Sequence, residues 1–64
     1  MNEVRVGQIW RDNDKRNYTR RVEVVSIEGE KATVINLETR KQTRISLKRF
    51  KPNATGYVLV KDVQ

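Results

Sequence analysis

The chain has 64 residues, with 14 basic and 8 acidic side chains, and neither His nor Cys. One domain of this size supplies only ~3–5 kcal/mol of net stability, which excludes a second domain and a large buried catalytic cavity. The missing His and Cys exclude disulfides, imidazole or thiolate metal ligands and Cys or His catalysis, while a net charge of +6 calls for anionic partners.

Val, Ile and Thr number 9, 4 and 5. Their stiff χ1 torsions fit a pleated sheet better than a helix. No window repeats apolar residues at helical spacing, so period 2 is the template throughout. The first predicted strand is Val6 to Trp10, led in by Val4, with Gly7 at a position where backbone can kink. Arg11 to Thr19 follow as a long polar loop whose Asp and Asn side chains favour turns.

Strand two is predicted over Arg20 to Glu28. Val22 and Val24 alternate, then Val25 and Ile27 continue on the opposite parity, which predicts a bulge or strong bend. Gly29 offers a positive φ for a turn between Glu28 and Glu30. Strand three is expected over Lys31 to Glu38, with Ala32, Val34 and Asn36 on one face and Thr33, Ile35 and Leu37 on the other. After a turn at Glu38 to Lys41, strand four spans Gln42 to Leu47.

Leu47 and Phe50 stand three apart, the spacing of a single 3₁₀ turn that tucks both inside. Pro52 forbids a continuing central strand, and Tyr57 to Val60 form a last short one. The expected architecture is all-β: one small five-stranded SH3-like barrel over residues 1–64, with a long first loop and a 3₁₀ turn before the last strand. Its ordered core is expected at about 4–60, with a frayed tail at 61–64.

Three segments carry a resemblance: Val6-Gly7-Gln8-Ile9-Trp10 with Asp12-Asn13-Asp14, Leu47 to Pro52, and Gly56 to Val60. Across residues 6 to 60 the chain resembles a group of very small phage and bacterial proteins of unknown function. The resemblance implies a small β-barrel and a phage or mobile-element setting, and it carries over no catalytic residues. More loosely, strand order and basic character are similar to KOW and other SH3-like barrels of nucleic-acid-handling proteins. The Gly-rich KOW signature is absent, since Val22 to Leu37 contain only Gly29.

The charge is concentrated. Arg40, Lys41, Arg44, Lys48, Arg49 and Lys51 fall within 12 residues that hold no acid, while the other 52 residues carry 8 basic and 8 acidic side chains. Such a segment can neutralise phosphates and release their counterions. It equally suits a solvated edge strand whose cations guard against pairing. A second group, Lys15, Arg16, Arg20 and Arg21, is offset by Asp12 and Asp14, and Asp14 could pair with Arg16 or Arg20. Trp10 and Phe50 are expected in the core. Tyr18 is the expected exposed ring, and Tyr57 suits either an outer packing position or a hydroxyl contact.

Asp12-Asn13-Asp14 opens like a calcium loop, but Arg16 stands at its fifth position and Asn17 replaces its glycine, so no metal is expected. Ser26 and Ser46 have no His to activate them, so no enzyme template survives. No apolar run exceeds the four residues Tyr57 to Val60, and the N-terminus has no apolar h-region, so a cytoplasmic protein is expected.

The expected function is non-enzymatic, cofactor-free and largely sequence-independent binding of DNA or RNA. Arg40, Lys41, Arg44, Lys48, Arg49 and Lys51 would contact phosphates, Lys15, Arg20 and Arg21 would extend the track, and Tyr18 would stack on a base. Two other classes stay open: a phage-type interaction module docking on an acidic protein, and a homodimer paired through an exposed strand.

Overall fold

The computed structural model describes residues 4–17, 19–53 and 55–63. Five strands form one antiparallel sheet: β1 (Ile9–Asp12), β2 (Arg21–Glu28), β3 (Lys31–Asn36), β4 (Gln42–Ser46) and β5 (Tyr57–Lys61), in the order β4-β3-β2-β1-β5. Two 3₁₀ turns interrupt them, Lys15–Asn17 and Leu47–Arg49. β4 and β5 are the sheet edges.

Side-chain alternation sorts the residues. Trp10, Val22, Val24, Ala32, Val34 and Ile45 lie buried on the inner face, and Phe50 and Tyr57 close over them. Val4, Leu47 and Leu59 pack against this cluster. The parity change in β2 is a bulge: the register with β3 shifts between Val24 and Ser26, leaving Val25 over-counted and exposed. Gly29 adopts φ +57° in the following turn, as its position predicts. The 3₁₀ turn at Leu47 buries Phe50, whose N–H donates to the Leu47 carbonyl at 3.2 Å.

Several boundaries differ from expectation, each for a local reason. β1 begins at Ile9 instead of Val6, because Gly7 turns the chain with φ +98°. Arg11 and Asp12, expected in the loop, belong to this strand, and Asp12 is buried. β3 ends at Asn36, short of Glu38, because the Asn36 Oδ1 accepts the backbone N–H groups of Glu38 and Thr39 at 2.8 and 3.0 Å. β4 ends at Ser46, whose Oγ accepts the Lys48 N–H and caps the 3₁₀ turn. At the C-terminus β5 runs through Lys61, and Asp62 Oδ1 accepts a 2.7 Å hydrogen bond from Gln8 Nε2. The expected fraying at 61–63 is therefore replaced by strand pairing and a side-chain bond.

Candidate nucleic-acid interface

An aromatic column leads from the core to the surface. Trp10 and Phe50 meet edge to face at 5.0 Å, and Phe50 stacks on Tyr57 at 5.5 Å. Tyr57 starts β5 opposite Asp12 and is only 4% exposed. It therefore packs inside, not on the exterior of the sheet.

Tyr57 is where the two basic segments meet. Arg20 and Lys41 line with it one depression of about 330 Å³. On its other side Lys51 lines with it a second, of about 260 Å³, over Trp10 and Phe50. The Arg49 guanidinium lies 5.7 Å from its ring centre and donates to the Thr55 carbonyl at 3.0 Å. Lys15 shares a further hollow with Thr55. Arg20, Lys41, Arg49 and Lys51 thus form a track around Tyr57. The Lys15 hollow, which Asp14 also lines, does not include Tyr57.

The other predicted residues are not part of that track. Arg44 pairs across the sheet with Thr33, on the face opposite the buried Ile45. Arg21 also points to this outer face, opposite Arg11, because Trp10 and Val22 take the inner one. Arg20 and Arg21 diverge for the same reason. Arg40 and Lys48 are exposed, Arg40 in the β3–β4 turn with φ 66° and Lys48 in the 3₁₀ turn. Tyr18 lies outside the described residues. Arg16 pairs with Asp14 at 3.1 Å, and this hydrogen bond holds the Asp14 carboxyl below its usual value. At an exposed position such a pair adds little stability.

Two polar residues that carry the site had been assigned no role. Asp12 is buried beneath Tyr57, 3.7 Å from the Arg20 guanidinium, and accepts the Asp14 N–H at 2.9 Å. Gln8 is 1% exposed; its Oε1 accepts the Trp10 Nε1–H at 3.1 Å and the Arg5 N–H at 2.7 Å. The available signal was parity, since Gln8, Trp10 and Asp12 share one face.

Burial pushes the Tyr57 hydroxyl above its ordinary value, the nearby Asp12 charge adds to this, and Arg49 and Arg20 oppose it. The folded protein therefore holds this proton more tightly than the unfolded chain. Its contribution is fully present below about pH 10, the unfolded value, and is lost as pH rises through the folded one. Urea unfolding at pH 9 to 11 is expected to show a falling midpoint, and Tyr57→Phe to flatten that fall.

Among the described residues no helix is long and apolar enough to cross a membrane, and no cluster of Asp and Glu could hold a metal ion. Comparison with protein-family models, with curated proteins and with solved structures finds no match to this chain.

Proposed function

We propose that this domain is an SH3-like small barrel that binds nucleic acid without catalysis and largely without regard to sequence. The observation that carries the proposal is the convergence of Arg20 with Lys41, Arg49 and Lys51 on Tyr57. Cations gathered at one place on the surface suit a single strand, whose phosphates need neutralising. The strand order, the 3₁₀ turn ahead of β5 and the bulge in β2 support the barrel.

The test is a titration of labelled single-stranded DNA, duplex DNA and RNA at several salt concentrations. Four or five phosphate contacts give a slope of log affinity against log salt of roughly −3 for a single strand. Arg49→Ala and Lys51→Ala are each expected to reduce that slope by about 0.7. Arg44→Ala, on the other sheet face, leaves it unchanged. No affinity at low salt would sink the proposal, as would an Arg44→Ala effect equal to that of Arg49→Ala.

One observation favours a second reading. The outer sheet face interleaves half-buried Ile9, Ile35 and Val58 with Arg11, Arg21 and Arg44, with Glu23 as an acid between Ile9 and Ile35. Apolar ground among arginines suits an acidic protein partner. Binding that polyanions displace poorly, and that Arg44→Ala weakens, would select it.

A further inference from the structure

We propose that the depression beside Tyr57 holds a terminal phosphate, the phosphomonoester dianion at the end of a single strand. The proposal rests on the nucleic-acid function above and specifies which part of the ligand is read.

The lining consists of donors. Arg20 and Lys41 supply positive charge, and Asn36, Thr39 and Thr43 supply neutral polar groups. The Asn36 oxygen is already committed to the backbone N–H groups of Glu38 and Thr39, which leaves its NH₂ for a ligand. Thr39 Oγ1 accepts the Lys41 N–H at 3.3 Å, which leaves its O–H to donate. Thr43 is exposed on β4, on the same side as Ile45. No carboxylate lines the depression. The nearest acid, Asp12, is buried behind it and faces Arg20.

Charge and shape narrow the class. Arg20 and Lys41 bring two positive charges to the lining, Asp12 faces Arg20 from behind it, and Arg49 lies outside the lining over the Tyr57 ring. A terminal phosphate carries nearly two negative charges at neutral pH, whereas an internal phosphodiester carries one. Buried Val22 and Tyr57 also line the depression. Its volume of about 330 Å³ lies at the small end of the ~300–1,000 Å³ typical of ligand sites, room for a strand terminus but not for a run of nucleotides. Fixed donors around such a dianion form charge-assisted hydrogen bonds.

Fluorescence anisotropy at one low salt concentration tests this. The probe is one single-stranded oligonucleotide with a 5′-phosphate, with a 3′-phosphate, or with hydroxyls at both ends. At least one phosphorylated form is expected to bind about tenfold tighter than the hydroxyl form. Lys41→Ala combined with Thr43→Val should abolish that preference, and both positions are exposed, so the fold survives the change. Arg44→Ala should preserve it. Equal affinity for all three probes, with binding retained, overturns the terminal-phosphate site and leaves nucleic-acid binding standing. A preference that survives the double substitution overturns it too. Absence of binding by every probe overturns the underlying function instead.

Discussion

Gly56→Ala is expected to remove a large fraction of the protein's stability. A Cβ at this buried position would strike the Lys51 carbonyl oxygen and would stand 2.7 Å from Asn53 Oδ1 and 2.9 Å from the Arg49 carbonyl oxygen. Two of these three atoms are backbone, so no flexible side chain can swing away. The loop is pinned as well, because the Gly56 N–H donates to the Asn53 carbonyl and the Gly56 carbonyl accepts the Asn13 N–H, both at 3.0 Å. Overpacking of this kind destabilises by ~1–3 kcal/mol, against a total of roughly 3–5 kcal/mol for a domain this small. The measurement is the urea midpoint followed by fluorescence of Trp10, the one tryptophan of the chain. Gly29→Ala is the control: nothing lies within 4 Å of its Cβ position, so only the φ of +57° penalises alanine. That backbone penalty is about 1 kcal/mol. Equal losses at the two glycines would show that crowding at Gly56 is not what forbids a side chain.

Gln8→Leu is expected to remove a comparable share of the stability by a different route. Leucine fills the volume but leaves the buried Trp10 Nε1–H without its acceptor and Asp62 with only the Val63 N–H as donor. An unsatisfied buried donor costs about 1–3 kcal/mol. Gln8→Glu separates the two halves of this network. Its oxygen still serves Trp10, but at neutral pH a second carboxylate then faces Asp62. In the native protein the Gln8 NH₂ holds the Asp62 carboxyl below its usual value, helped by the Val63 N–H. That contribution is present above the ordinary value of 3.8 and is lost as pH falls through the depressed one. In Gln8→Glu the sign reverses: the folded state favours a protonated Glu, so the variant should approach the native midpoint near pH 4 and fall away toward pH 7. A pH-independent deficit would show that Gln8 acts by packing alone.

The fold was legible where local chemistry speaks without tertiary help. Val22 and Val24 followed by Val25 and Ile27 announce the bulge, because a regular strand sends the two parities to opposite faces. Leu47 and Phe50 announce the 3₁₀ turn through their spacing, and Gly29 announces its turn. Less legible were polar residues that stand on the inner face. Asp12 reads as a turn former and Gln8 as surface, yet both share the parity of Trp10 and are buried with it. The partner of Gln8, Asp62, lies far along the chain, and no local pattern shows that.

The basic cluster was legible in composition and only partly in space. Arg40 to Lys51 reads as one strip, but β4 is a strand, and alternation sends Arg44 to the face opposite Ile45. The same rule separates Arg20 from Arg21. What gathers Arg20, Lys41, Arg49 and Lys51 is the pairing of β5 with β1, which brings Tyr57 between two remote segments. Long-range pairing of this kind leaves no periodicity to read.

That pairing also sets an order of events in synthesis. β2, β3 and β4 form a meander joined by short turns and can pair as soon as they emerge. β1 is made before them, yet it lies between β2 and β5, and Tyr57, Leu59 and Asp62 reach it only once they too have been translated. A nascent chain halted before Tyr57 has Trp10 uncovered on one side and Gln8 without Asp62. Until β5 emerges the ribosome therefore holds a sticky, half-built sheet, and a chain cut short before Tyr57 is a substrate for proteases and not a shortened domain.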